Sequence, residues 1–322
     1  MTNRSLNTQL LQRDMYKYMF EKYDPLPKVF DKIFEVRETT AAFEKETTAL
    51  GLGGLSERKE GAQIVASNPL EGFTVYGKPR TWSDAFELTM EFAEDTPPEK
   101  VANIAREYAN TWAEGLVQTQ ETFCANFFNY GGYTAGNDIF NATITGVVDD
   151  SSGDLCYDGK PFFNLSGNTR SSKGGTTYYN GLALPLTNAN LQTAYLLYTT
   201  TNNRNERDQK VALMPDTLLI PASLKFTAKG LLENQWVGGN ANLDINTVQN
   251  IVAPVEWQYL TDTDAWFLGK RQKGLVFLNR RMPVIDFYTD PKTKAEFVTI
   301  DCRWGAYVNN WRFWVGSQFS TS

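Results

Sequence analysis

Asp262 and Asp264 stand between Trp257 and Trp266. Paired carboxylates beside indole rings are what glycan cleavage uses, one acid protonating the leaving oxygen while the other attacks or activates water. The same residues also read as a turn, Thr261–Asp264, between two strands whose tryptophans face a core. Asp149, Asp150 and Asp154 invite calcium, but they lack the alternating oxygen ligands and closing glutamate of an EF-hand loop and read as turn residues. Gly51, Gly53 and Gly54 approach a dinucleotide fingerprint, yet Ser56 occupies the third glycine's place. The chain contains no histidine. That excludes Ser–His and Cys–His catalysis and every metal site built on imidazole. Cys124, Cys156 and Cys302 are too far apart for a CxxC motif; this sparse, odd set is expected to be free, buried thiols in a reducing compartment. No GxxxxGK phosphate loop and no GxSxG elbow occurs. No catalytic constellation survives, so the protein is not expected to be an enzyme, and neither cofactor nor metal is expected.

The 322 residues carry 31 Lys and Arg against 37 Asp and Glu, a net charge of −6. A protein that tracks nucleic-acid phosphates needs a basic footprint, and none is present. The densest basic cluster, Lys270, Arg271 and Lys273 followed by Arg280 and Arg281, flanks the apolar Leu275–Leu278 and reads as solvated strand ends. With 42% apolar and 13% aromatic residues, the chain belongs among globular proteins with β-structure and large buried surfaces. No uninterrupted apolar run approaches the ~20 residues of a membrane span. The first twenty residues have no apolar core of the signal-peptide kind, so the chain reads as soluble and intracellular when made.

The elements that must position these residues follow from periodicity. Leu6, Leu10, Met15 and Met19 recur at helical spacing; Pro25 and Pro27 interrupt them, and Val29, Phe30, Ile33 and Phe34 begin a second short apolar face. Residues 50–80 are rich in glycine and suggest a long β-hairpin, and Trp82, Phe86, Leu88, Met90 and Phe92 alternate at the period of a half-buried strand. Thr96-Pro97-Pro98-Glu99 is a capping box with proline at the first helical position. Behind it, apolar residues from Val101 to Phe127 recur every three or four positions, which predicts a helix over 97–129, roughly 50 Å long. Gly131 and Gly132 end it. Further on, Thr143–Val148 reads as extended, Thr187 caps a helix reaching Tyr198, Val211–Met214 and Thr217–Ile220 read as buried strands, Pro221 opens a short helix bearing Leu224, Ala228, Leu231 and Leu232, and 252–314 is mostly strand.

Two segments carry a resemblance. Ala212–Leu224, continuing to Ala228 and Leu232, is similar to a proline-flanked strand and short helix common in tailed-phage major capsid proteins. Asp158-Gly159-Lys160-Pro161-Phe162-Phe163-Asn164 resembles a motif of the Mu-like major head subunit, although Gly167 stands where that family often has histidine. The order of elements is similar to that of the Hong Kong 97 capsid family. The resemblance implies an α+β fold with an N-terminal arm (1–45), an extended β-hairpin or E-loop with its flanking strand (46–95), a peripheral domain with a long spine helix (96–150), an axial domain with intervening loops (151–290) and returning peripheral-domain strands (291–322).

It further implies a major capsid protein of a bacteriophage virion, self-assembling into hexamers and pentamers of an icosahedral head around double-stranded DNA that it does not read by sequence. Assembly in the host cytoplasm and procapsid maturation come with it, as do a portal, decoration proteins and a separate scaffolding protein; no membrane is involved. Arg58, Lys59, Glu60, Phe73 and Tyr76, on the hairpin, are the expected intersubunit contacts. Some relatives cross-link lysine to asparagine, but Lys59 reads as a solvated turn lysine. An acidic subunit suits a container that must release its DNA. Two other readings stand beside this one: an encapsulin-like nanocompartment shell, and a β-rich glycan-binding or glycan-cleaving protein built on Trp257, Trp266 and their aspartates.

Overall fold

A computed structural model describes residues 4–49, 57–61, 63, 71–89, 98–133, 156–158, 160–236, 245–291 and 295–321. In chain order these form α1 (Arg4–Tyr23), α2 (Phe30–Ile33), β1 (Glu35–Glu38), β2 (Glu44–Ala49), β3 (Glu71–Gly77), β4 (Arg80–Leu88) and the long α3 (Pro98–Asn129). Three two-residue strands follow, β5 (Arg170–Ser171), β6 (Thr177–Tyr178) and β7 (Gly181–Leu182), then α4 (Asn188–Leu196), β8 (Thr217–Ile220) and α5 (Lys225–Glu233). The last elements are β9 (Ala253–Glu256), β10 (Trp266–Gly269), β11 (Leu275–Thr289), β12 (Glu296–Val308) and β13 (Trp314–Ser317).

Helix α3 begins one residue inside the expected span and ends where expected. Thr96 and Pro97 of the capping box lie outside the described residues, as do the Thr143–Val148 segment, Asp149, Asp150 and Asp154 of the calcium reading, and Met90 and Phe92 of the alternating strand. Gly131 and Gly132 close α3 by a different means than a left-handed cap. Neither has positive φ; a Cβ on Gly131 would sit 2.6 Å from the Phe163 ring and one on Gly132 2.3 Å from Phe319. They are glycines because aromatic rings pack directly on their backbone.

Helix α1 finds its partner within the chain. Met15, Met19 and Tyr23 bury against Ala105, Ala109, Ala113 and Val117, a row spaced by four along α3 whose short side chains let the two helices approach closely. The opposite side of this cluster is Ile285, Val298 and Ile300 of a four-stranded sheet ordered β1-β11-β12-β4. Trp82 and Phe86 of β4 are half-buried on it, as their alternation requires.

A second, five-stranded sheet, ordered β7-β13-β10-β8-β9, packs against α4 and α5. Thr187 caps α4, accepting from the Asn190 amide at 3.3 Å. Ala228 and Leu232 are buried beneath α5 and Leu224 and Leu231 half-buried, matching the expected apolar face. Both sheets share an aromatic core at the C-terminal end of α3. Phe128 lies 5.0 Å from Phe267, 5.1 Å from Trp314 and 5.8 Å from Trp257, ring centre to ring centre.

Two expectations are corrected. Val211–Met214 is neither strand nor buried; Met214 and Val211 are exposed, and the segment's amides go instead to Asn203, whose backbone carbonyl accepts from Val211 and side chain from Leu213. Arg280 and Arg281 do not end a strand. β11 runs past them to Thr289, with register shifts against β12 between Asn279 and Arg281 and again between Arg281 and Val284. An extra residue at each shift bends the strand, so charged side chains sit inside it without entering the core. The three cysteines are free and buried.

Candidate assembly surfaces

The hairpin is an antiparallel ladder pairing Glu44 with Gly77, Lys45 with Tyr76, Glu46 with Val75 and Thr47 with Thr74; its first strand, Glu44–Ala49, lies before the 50–80 span in which both strands were expected. Its strands are fed from opposite edges of the four-stranded sheet: β2 follows β1 at one edge and β3 leads into β4 at the other. The hairpin base therefore lies across one end of that sheet. Val75 buries among Val276, Leu278 and Tyr307, and a Cβ on Gly77 would meet the Tyr307 ring at 2.4 Å. Charge secures the same end. The Tyr307 hydroxyl donates to Glu46 at 3.0 Å, and Arg37 bridges Glu46 at 2.9 Å and Glu35 at 3.0 Å. The hydrogen bond from Arg37 lowers the Glu35 carboxyl below its ordinary range, and burial raises the Tyr307 phenol.

Beyond this base, the structure separates the five hairpin residues singled out from sequence. Arg58, Lys59 and Glu60 are exposed. Tyr76 pairs with Lys45 on the hairpin itself, the ammonium 5.7 Å from the ring centre. Phe73 is half-buried and stacks on Tyr157, centroids 4.0 Å apart and planes 13° from parallel, with the Lys173 ammonium 4.9 Å from its ring.

Polar side chains on α3 tie it to segments remote in sequence. Glu121, 2% exposed, accepts from the Val29 amide at 2.5 Å and the Phe30 amide at 3.4 Å through one oxygen, and from the Trp257 indole at 2.5 Å through the other. Burial raises its pKa and these hydrogen bonds partly oppose the rise. Gln120 accepts from the Tyr23 hydroxyl at 3.0 Å, and Asn129 donates to the Tyr259 carbonyl while accepting from the Thr261 amide. Sequence reading passed over Glu121. Its signal was position: an acid within the apolar stripe, four residues after Val117 and three before Cys124.

A second polar cluster organises the start of the five-stranded layer. Arg312 pairs with Glu206 at 3.0 Å, Arg170 lies 3.5 Å from Asp158, and the Trp311 ring sits between the two guanidiniums at 4.6 and 5.1 Å. Asp208 accepts from Ser172 Oγ, Thr176 Oγ1 and the Tyr178 hydroxyl at 2.6–2.7 Å and from the Thr176 amide at 3.3 Å. Burial raises the Asp208 carboxyl, but these bonds outweigh it and hold the pKa down at about 2.

The glycan reading fails on burial. Trp257 and Trp266 are each 0% exposed, their indole N–H groups donating to Glu121 and to the Leu184 carbonyl, so neither ring can stack on a sugar. Asp262 and Asp264 form a turn, Asp262 accepting from the Asp264 amide at 3.4 Å. The described residues contain no cluster able to hold a metal ion and no helix long and apolar enough to cross a membrane.

A long helix laid across one sheet, a hairpin projecting from that sheet's end and a second sheet with its own helices define a shell subunit of the Hong Kong 97 type. Solved structures share this fold: the capsid of cyanophage P-SCSP1u (TM-score 0.54, 10% identity, 92% of this chain and 89% of that one) and of Ralstonia phage GP4 (0.51, 13%, 92% and 89%). Mycobacterium phage Che8 offers a third (0.50, 14%, 92% and 93%). No curated protein matches in sequence. Residues 72–316 match the family model of phage capsid proteins, and the chain belongs to that family. It is a structural protein of a phage head.

Proposed function

We propose that this chain is the major head subunit, forming hexamers and pentamers that close into an icosahedral shell around double-stranded DNA. The observation that carries this reading is the hairpin. It is anchored at its base by Val75, Glu46 and Tyr307, yet leaves Arg58, Lys59 and Glu60 exposed. A two-stranded ribbon gains little on its own in water, so its value lies in what it touches outside the subunit. Contacts that repeat at every subunit add through multivalency, and head-to-tail contacts of this kind generate rings. Arg58, Lys59, Glu60 and Tyr76 would meet a neighbouring copy, and Phe73 would support them.

On this reading residues 1–45 are the arm, 46–95 the hairpin and its strand, 96–150 the spine region, 151–290 the axial domain and 291–322 the returning strands. The Asp158–Asn164 segment supports a narrower kinship with the Mu-like head subunit; its Phe162 and Phe163 are core residues. A scaffolding protein, a portal and decoration proteins would be separate partners, with assembly in the host cytoplasm before the subunit enters the virion. The test is negative-stain microscopy and size-exclusion chromatography of the protein expressed alone and with its genomic neighbours. Closed shells, rings or tubes are expected; a monomer under every condition overturns the reading.

A further inference from the structure

Along β3 the side chains that face the subunit come every second residue: Gly77 under the Tyr307 ring, Val75 in the cluster with Val276 and Leu278, then Phe73 on Tyr157. The first two rest on the four-stranded sheet. Phe73 reaches further, to Tyr157, whose side chain packs against both the Val75 cluster and the shared aromatic core. Its seat there is built from both sides. Tyr157 is held in turn by Trp311, whose indole N–H donates to the Tyr157 hydroxyl at 3.2 Å, and Trp311 is fixed between Arg170 and Arg312. Lys173 is carried by the turn 172–176. Asp208 holds that turn through Ser172 and Thr176, and a Cβ on Gly174 would fall 2.2 Å from the Asp208 carboxylate.

We infer that Phe73 is a positioning residue for assembly: clamped between Tyr157 and Lys173, it sets the direction in which the hairpin leaves the subunit, and so which part of a neighbour the Arg58–Glu60 tip can reach. The inference rests on the reading of the hairpin as an intersubunit contact. The physical argument is one of leverage. A ribbon held only at its base, by Gly77, Val75 and Glu46, pivots about one end of a sheet; a further seat against Tyr157 and Lys173 removes that freedom. Phe73 stands thirteen positions after Glu60, and a chain of that length spans at most roughly 40 Å, so the direction set at the seat bounds the region of a neighbour within reach of Arg58–Glu60. A misdirected contact is repeated at every subunit, and the loss compounds as shells close.

The test compares closed shells with open or aberrant assemblies by electron microscopy, alongside thermal melting of the subunit, for wild type, Phe73→Ala, Phe73→Tyr, Lys173→Glu and Tyr157→Phe. Phe73→Ala should lower the yield of closed shells about tenfold while leaving the subunit's melting temperature within about 2 °C of wild type. Phe73→Tyr keeps the ring and should restore assembly; Tyr157→Phe keeps the stack but loses the hydrogen bond from the Trp311 indole, and should lower shell yield less than Phe73→Ala does. Lys173→Glu alters only an exposed side of the seat and should fall between them, so the seat is tested even if Phe73→Ala folds poorly. Normal shells from both Phe73→Ala and Lys173→Glu overturn the inference, as does failure of Phe73→Tyr to rescue. Wild-type protein that forms no shells would instead refute the assembly reading itself.

Discussion

Replacing Glu121 with glutamine exchanges a side chain that only accepts hydrogen bonds for one that must also donate. In the native subunit one carboxylate oxygen serves the Val29 and Phe30 amides and the other serves the Trp257 indole. The amide oxygen of glutamine can keep one of these partners; its NH2 group must then face a donor. A charge-assisted hydrogen bond worth about 1.5–3 kcal/mol is lost and a buried N–H is orphaned at about 1–3 kcal/mol, offset by no longer burying a charge. The net expectation is about 2–3 kcal/mol of destabilisation at pH 7, or about 3–5 °C for a chain of this length. The pH dependence is more telling. Burial raises the Glu121 pKa, so the native state holds its proton more tightly than the unfolded chain does. The penalty for ionising it is full above the folded pKa and disappears as pH falls toward the unfolded value. Wild type should therefore gain on Glu121→Gln as pH is lowered from 7 to 5. The assay is urea unfolding of the soluble subunit at both pH values, followed by tryptophan fluorescence. A stability gap that stays constant or narrows toward acid would refute the reasoning.

Four other outcomes are expected. Phe128→Ala removes the ring on which Phe267, Trp314 and Trp257 converge and should cost about 3–5 kcal/mol, read from the urea midpoint. Asp208→Asn should cost about 1–2 kcal/mol at neutral pH, discounted for partial solvent screening. Because the Asp208 pKa is held down at about 2, wild type should keep that advantage above about pH 4 and lose it as pH falls toward 2, measurable by acid titration of both proteins. Gly269→Ala drives a Cβ to within 2.3 Å of the Trp314 ring and should lower the melting temperature by several degrees, at about 1–3 kcal/mol of overpacking. Cys124, Cys156 and Cys302 should resist a thiol reagent in the native subunit and all react after denaturation, burial having pushed the Cys124 and Cys302 thiols up; rapid native reaction at any of them would show that the core opens.

How much could be read in advance depended on whether the information was local. The long helix was legible because its apolar residues recur at 3.6, and the helix after Thr187 because that threonine caps it. The second strand of the hairpin was visible, but its first, Glu44–Ala49, was not, because its polar, charged residues carry no apolar alternation; the capsid family was visible as an order of elements joined to two short motifs. Val211–Met214 was misread because its apolar residues look like strand, while Asn203, whose backbone carbonyl and side chain take the Val211 and Leu213 amides, lies eight or more residues away in a loop. Arg280 and Arg281 were misplaced because a β-bulge leaves no mark in a period-two pattern.

Composition alone excluded imidazole chemistry, since no fold can supply a residue type the chain lacks. It could not choose between a sugar cleft and a core for Trp257 and Trp266, because a tryptophan–aspartate pattern is the same string in either place. Only packing decided that, by enclosing both rings and giving their N–H groups to Glu121 and Leu184. The seat of Phe73 is of the same kind. It joins residues 73, 157 and 173, which become neighbours only when one layer folds against the other; a contact between segments so far apart along the chain depends on the tertiary fold and leaves no periodic trace in the sequence.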